Sequence, residues 1–158
     1  KVPREAAAYT FGYNYPVFTQ RVHDVLSVLS LASYLDPKPT QIDLVGLGGA
    51  GHWAAAACTQ ARGVIDRLAV DTQGFRFANI RSLRDPNFLP GVAKYGDLPG
   101  LLALAAPTPL WLAGEGTSLP DVAQATYDAS GAMSNVNVWQ GDAQAAPRNA
   151  IDWLLGQP

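Results

Sequence analysis

A glycine-rich run between an apolar segment and an alanine-rich one is the part of this sequence whose residue types and spacing could do chemistry. It reads Ile42-Asp43-Leu44-Val45-Gly46-Leu47-Gly48-Gly49-Ala50-Gly51-His52. The β-prone start and the alanine-rich continuation predict a strand, a tight turn and a helix in direct succession. Two kinds of site use this arrangement, a dinucleotide-binding turn and a turn that presents a catalytic nucleophile.

Dinucleotide binding is the first interpretation. Gly46, Gly48 and Gly51 match the pattern G-x-G-x-x-G, and Asp71 follows Gly51 by twenty residues, at the end of the next predicted strand. An acid that binds the ribose is expected there, and backbone N–H groups at the helix start could hold the pyrophosphate of NAD. Against NAD, such a domain needs about six strands. The stretch 72–77 also does not lead quickly into a helix.

The nucleophile elbow, G-x-S-x-G, is the second interpretation. Gly46 falls on its first glycine, Gly48 on its serine and Ala50 on its last small position. Small residues are needed because the turn brings backbone close to backbone. The predicted turn keeps that geometry, but Gly48 has no side chain and cannot attack a substrate.

Several segments form a recognisable series: Tyr9-Thr10-Phe11-Gly12-Tyr13-Asn14, Gln20 to Leu26, Leu44 to Gly51, Asp85 to Gly91, and Lys94-Tyr95-Gly96. In these segments, which span nearly the whole chain, the sequence resembles the C-terminal portion of acetyl xylan esterase-like α/β hydrolases. In particular, it resembles a degenerate second hydrolase domain of two-domain members. The resemblance implies that the strands here match the last four of the hydrolase sheet. The first four strands and the usual oxyanion-hole loop would then be absent from this chain.

The resemblance also implies where a catalytic triad would lie. The nucleophile position holds Gly48. The acid would follow the strand over 109–113, where Glu115 is the nearest carboxylate and Asp121 lies just inside the next helix. The histidine would follow the last strand, but no histidine occurs after His52. A serine–histidine mechanism needs its base as much as its nucleophile, so we predict no ester hydrolysis by this chain alone.

The expected function is therefore that of a non-catalytic accessory or interaction module, related to carbohydrate esterases. A half sheet leaves an edge and apolar faces open, so we expect another hydrolase domain or a second copy of the chain to cover it. The enzyme alternative is a residual carboxylic-ester hydrolase that uses His52 with Asp71 or Glu115. The compartment is left open, although the resemblance is compatible with a secreted or periplasmic protein.

Most other candidate residues have an ordinary structural interpretation. We expect His52 to be a helix-start residue, His23 a packing or surface residue, and Asp43 a hydrogen-bonded residue at the core edge. Arg21 and Asp24 are expected to form a surface ion pair. A further set is expected in the core rather than at a sugar-binding platform or a reactive site: Cys58, Trp53, Trp111, Trp139 and Trp153. The segment Asp85 to Gly91 is predicted to be a fixed loop that covers a pocket or a partner.

The composition indicates one globular domain over 1–158. Apolar residues make up 48% and charged residues 15%, with a net charge of −2. This balance excludes the basic patch that nucleic acid needs, and the apolar stretches are too short to cross a membrane. No metal-ligand spacing occurs, and no cofactor is expected outside the NAD alternative.

The hydrophobic pattern predicts a three-layer α/β fold with about four mostly parallel strands and helices on both faces. Residues 1–16 are expected to be irregular, and 75–97 to form a long excursion. The predicted elements are helices over 18–34, 52–62, 98–105, 120–129 and 147–155, and strands over 42–45, 64–70, 109–113 and 135–139.

Overall fold

A four-stranded, all-parallel sheet forms the centre of the computed structural model, which describes residues 11–156. The strands stand in the sheet in chain order: β1 Asp43–Gly46, β2 Arg67–Asp71, β3 Leu110–Ala113 and β4 Val136–Val138. Leu44 pairs with Leu68, Leu68 with Leu110, and Leu110 with Val136. The predicted α/β fold with four parallel strands is confirmed.

Five α-helices surround the sheet in residues 12–156: α1 Val17–Ser33, α2 Gly51–Gln60, α3 Asp97–Ala105, α4 Asp121–Ala129 and α5 Ala146–Leu154. Each strand is added on the same side of the previous one, so right-handed crossovers place α2, α3 and α4 on one face. Helix α1 packs on α2, and α5 lies on the opposite face. Helices on both faces were predicted, and the three layers follow from this arrangement.

Alternate residues of β2 and β3 face the two layers. Leu68, Val70, Leu110 and Leu112 point into the larger cluster with α1 to α4. The smaller cluster joins strand residues Ala69, Trp111 and Ala113 to helix residues Ala146, Ala150 and Leu154. Because α5 covers this second face over β2 and β3 only, Val45 of β1 stays 36% exposed.

The predicted core and surface residues are largely confirmed. Trp111 and Cys58 are buried, and the other three tryptophans are partly buried against the two clusters. Asp43 accepts hydrogen bonds from Arg67, at 2.8 Å from Nη2, and from Gln41. His23 is exposed on α1.

The predicted ion pair between Arg21 and Asp24 is wrong. The Arg21 guanidinium lies over the Trp53 ring instead, 5.9 Å from the ring centre. The partly buried indole offers a desolvated face, whereas an exposed pair three residues apart on a helix gains little.

The predicted boundaries shift where turns replace regular structure. The second strand begins at Arg67 rather than 64, because Gly63 has a φ of 77° and the chain turns there. Asp66 then aligns the segment with Ile42, whose carbonyl accepts its N–H at 2.8 Å. Residues 12–16 form a turn and loop before α1, as predicted, and the first ten residues of that lead-in lie outside the described residues.

The predicted excursion is ordered, with two 3₁₀ turns at Phe77–Asn79 and Val92–Tyr95. Asp97, at its end, has a φ of 56° and accepts from the backbone N–H groups of Phe77, at 2.8 Å, and Ala78, at 2.9 Å. Its carboxylate therefore ties the start of the excursion to the start of α3. None of the helices in residues 11–156 is both long and apolar enough to span a membrane.

Candidate functional site

The glycine turn connects β1 to α2 as predicted, and two of its glycines are required by close packing. A Cβ at Gly46 would lie 2.6 Å from the Ala54 Cβ and 2.8 Å from the Ala50 carbonyl oxygen. A Cβ at Gly51 would overlap the Asp71 carbonyl oxygen. These glycines therefore allow α2 to approach the turn and β2.

Gly48 occupies the tip of this turn, in the left-handed region with a φ of 59°. Among the described residues beyond its two chain neighbours, a Cβ built on Gly48 meets no atom within 4 Å, so the position is open. The turn thus presents an accessible α-carbon where an elbow would present a nucleophile, and that carbon bears only hydrogen.

His52 lies in the first turn of α2, as predicted, and is only 4% exposed. Its Nε2 is 2.9 Å from Oδ1 of Asn87, which also accepts from the Trp53 indole N–H at 3.1 Å. An amide oxygen only accepts hydrogen bonds, so this contact assigns the ring proton to Nε2. That nitrogen is therefore a donor to Asn87 and not a free base.

Aromatic rings enclose His52. The Phe75 ring stacks on the imidazole with 4.1 Å between the ring centroids. The Phe18 ring is also nearly parallel to the imidazole, with 6.0 Å between their centroids. Burial lowers the pKa of His52, against the smaller opposite effects of its hydrogen bond to Asn87 and of the Asp85 charge. The imidazole is therefore held neutral and packed.

Glu115 follows β3, and its carboxylate is almost fully buried, with 2% of the side chain exposed. Oε1 accepts from the Thr72 hydroxyl at 2.6 Å and from Arg76 Nη1 at 2.9 Å, and Oε2 accepts from Arg76 Nη2. The hydrogen bond to Glu115 raises the pKa of Arg76. Both carboxylate oxygens of Glu115 are thus engaged by a guanidinium.

Asp71 ends β2 at the same edge of the sheet, as predicted. Its Oδ1 accepts a hydrogen bond from the Gln73 N–H at 3.0 Å. The same oxygen lies close to Gly114 of the loop after β3, since a Cβ built on Gly114 would be 3.0 Å from it. The carboxylate therefore lies on the β3 side, away from β1. It lines an open cavity of about 450 Å³ with Thr117, Trp139 and Gln140.

The structure does not join the predicted acid–base candidates. Within residues 11–156, no hydrogen bond or ion pair links His52 to Asp71 or Glu115. Asp121 lies in the first turn of α4 and is exposed. The described residues also contain no group of three or more His, Cys, Asp or Glu side chains that could hold a metal ion.

Asn87, Arg76 and Thr72 are the polar partners that sequence reasoning missed. The segment around Asn87 was predicted to be a covering loop, and the Asp85 carboxylate does fix it by accepting the Asn87 N–H at 2.8 Å. Nothing in the sequence pairs Asn87 with a histidine thirty-five positions away. The arginine that follows Phe75 was the only signal that a cation lies near the sheet edge.

Comparisons of this chain with family models, with curated proteins and with solved structures gave no match. The geometry of the glycine turn and its surroundings is therefore the basis for the function proposed below.

Proposed function

We propose that this chain is a non-catalytic α/β-hydrolase-like module, related to the acetyl xylan esterase-like hydrolases, that serves as an accessory or interaction partner of an active carbohydrate-esterase domain. One observation carries the proposal. The strand–turn–helix geometry of an elbow is present, while Gly48 at its tip offers no attacking atom in open space.

The hydrogen bonds that His52 and Glu115 already make support the same function. His52 Nε2 donates to Asn87, and Arg76 and Thr72 take the carboxylate oxygens of Glu115. A general base has to reach the proton that it abstracts, and the His52 ring is only 4% exposed and lies between Phe75 and Phe18. The residual-esterase alternative would need the His52 ring to become exposed and, where Glu115 is the acid, that carboxylate to leave Arg76 and Thr72.

The open side of the sheet supports the interaction role. β1 is an edge strand of the sheet that residues 11–156 form, so one row of its backbone groups has no neighbouring strand in this sheet. Val45 on this strand is 36% exposed on the face that α5 leaves uncovered. The proposed occupant of this edge is a second hydrolase domain, and a copy of this chain is the alternative occupant.

Ester hydrolysis tests the catalytic half of the proposal. The chain should show no saturable hydrolysis of a chromogenic short-chain ester above the buffer rate. Saturable turnover that His52→Ala or Glu115→Gln removes would establish the residual esterase instead.

Capture by an active acetyl xylan esterase domain tests the interaction half. Val45→Glu should abolish capture, because it places a charge on the open face of β1. Val64→Glu is the matched control, since Val64 is also 36% exposed but precedes β2. Equal capture of both variants would refute a contact at β1.

A further inference from the structure

Exposed apolar side chains are concentrated around α1. Of the fourteen large apolar side chains that are exposed in the described residues, seven lie between Tyr13 and Leu35. Such clustering on a surface marks an interaction site more often than scattered apolar residues do.

Helix α1 has two distinct faces. One face buries Phe18, Val22 and Leu29 against the rest of the larger core cluster. The other is exposed and follows steps of four, three, four and three residues: Val17, Arg21, Asp24, Val28 and Leu31. This alternation is the spacing of the contact positions in paired helices.

The charges at the centre of this stripe have no ion-pair partner among the described residues. Within residues 11–156, Arg21 lies over the Trp53 ring without an acidic contact, and the exposed Asp24 forms no ion pair. The stripe has apolar residues at both ends, and Arg21 and Asp24 lie one turn apart at its centre. In an identical stripe that runs antiparallel to it, each of these charges would face the opposite charge.

We propose that a second copy of this chain packs antiparallel on the exposed stripe of α1. With the two-fold axis between positions 22 and 23, Arg21 faces the partner's Asp24 and Val17 faces the partner's Val28, and each contact occurs twice. A parallel pairing would oppose Arg21 to itself and Asp24 to itself, so like charges disfavour it.

The ends of the stripe fit the same symmetry. Leu31, 65% exposed, reaches past the start of the partner's helix, toward the turn and loop that hold the partner's Tyr13 and the partner's Tyr15. In the single chain these tyrosines are 90% and 78% exposed. The pairing therefore covers apolar groups at both ends of the helix as well as charges at its centre.

This dimer is independent of the proposed function, because α1 lies on the helix-covered side of the sheet and Val45 on the opposite face. A helix of 17 residues is about 25 Å long. An interface made by one helix of this length from each chain is small among protein–protein interfaces. We therefore expect a dissociation constant of the dimer on the order of 10–100 μM.

Sedimentation velocity over a concentration series tests the proposal. The chain should pass from monomer to dimer below about 1 mM. Arg21→Asp alone and Asp24→Arg alone should each weaken the dimer at least about tenfold, because each opposes like charges, and the double variant should restore it. A chain that stays monomeric, or a double variant no tighter than the single ones, would overturn the proposal.

Disulfide trapping tests the direction of pairing. The variant carrying both Val17→Cys and Val28→Cys should form a covalent dimer on oxidation, and Val28→Cys alone should not. The buried Cys58 is common to both. Leu31→Asp should abolish the dimer, while Leu104→Asp, at an exposed leucine of α3, should leave it intact. Cross-linking by Val28→Cys alone, or a dimer that survives Leu31→Asp, would contradict the antiparallel arrangement.

Discussion

At the scale of single residues, the environment of His52 sets both its charge and its chemistry. The ring is enclosed by Phe75 and Phe18 and donates to Asn87. A buried imidazole of this kind resists protonation, and that resistance is measurable as a pH dependence of folding.

We expect the free energy of unfolding to fall as the pH drops below about 6.5. The unfolded chain binds a proton at the ordinary histidine pKa, whereas burial lowers the pKa of folded His52, so the unfolded state binds more protons in this range. The stabilisation that comes from neutral His52 is complete above the histidine pKa of the unfolded chain. It is lost as the pH falls toward the lower pKa of His52 in the folded chain. Urea unfolding between pH about 5 and 8 measures it.

The matched variants are His52→Gln and His23→Gln, since His23 is exposed on α1. His52→Gln should flatten the slope below pH about 6.5, and His23→Gln should keep it. If the slope of the His52→Gln variant equals that of the unchanged chain, His52 is not the group responsible.

Glu115 and Arg76 form the other decisive contact at this scale. Glu115 has 2% of its side chain exposed while paired, and Arg76→Ala leaves it with Thr72 as its side-chain donor among the described residues. We expect a loss of about 2–3 kcal/mol in the free energy of unfolding, measured with urea. Arg148→Ala removes an exposed pair with Asp152 and should cost less than about 0.5 kcal/mol. Similar losses for the two variants would mean that Glu115 is solvated rather than held by Arg76.

At the scale of elements, the junction between β1 and α2 depends on how closely α2 approaches β2. Gly51→Ala should destabilise the chain by about 3 kcal/mol, because the new Cβ overlaps the Asp71 carbonyl oxygen. Gly49→Ala adds a methyl group in open space at a φ of 91° and should cost about 1 kcal/mol in backbone strain. The urea midpoints of the two variants give the comparison, and a smaller loss for Gly51→Ala would contradict the packing argument.

The elements themselves could be predicted because the local pattern is strong. Apolar runs such as Leu110–Ala113 and the spacing of Phe18, Val22 and Leu29 gave the right type of structure. The boundaries were harder to predict. The apolar Val64 suggested that the second strand starts there, but the chain still turns after Gly63 and the strand begins at Arg67. Local sequence does not show which strand lies next to β1 in the sheet.

The site was predictable in part. The glycine turn and the empty position at Gly48 follow from residue types alone, and the structure places both as expected. The partners of His52 and Glu115 come from a loop and a turn far away in sequence, so no spacing rule indicated Asn87 or Arg76. Side-chain pairing across the sheet edge requires the tertiary fold.

At the scale of the whole molecule, residues 11–156 form a small α/β fold whose sheet is incompletely covered. Helices α2, α3 and α4 protect one face, while α5 covers the opposite face over β2 and β3 and leaves β1 open. The proposed interaction at β1 and the proposed dimer at α1 use opposite layers. Both contacts can therefore exist in one assembly.

The central claim is that this fold keeps the shape of a catalytic turn without its chemistry, and Gly48→Ser tests it most directly. The new side chain would stand in open space at the tip of the turn, so failure to react cannot be attributed to a blocked position. We predict that the purified variant hydrolyses a chromogenic short-chain ester no faster than the unchanged chain, because His52 is buried against Phe75 and no histidine follows β4. Saturable turnover by Gly48→Ser that disappears when His52 is replaced by alanine would contradict this account.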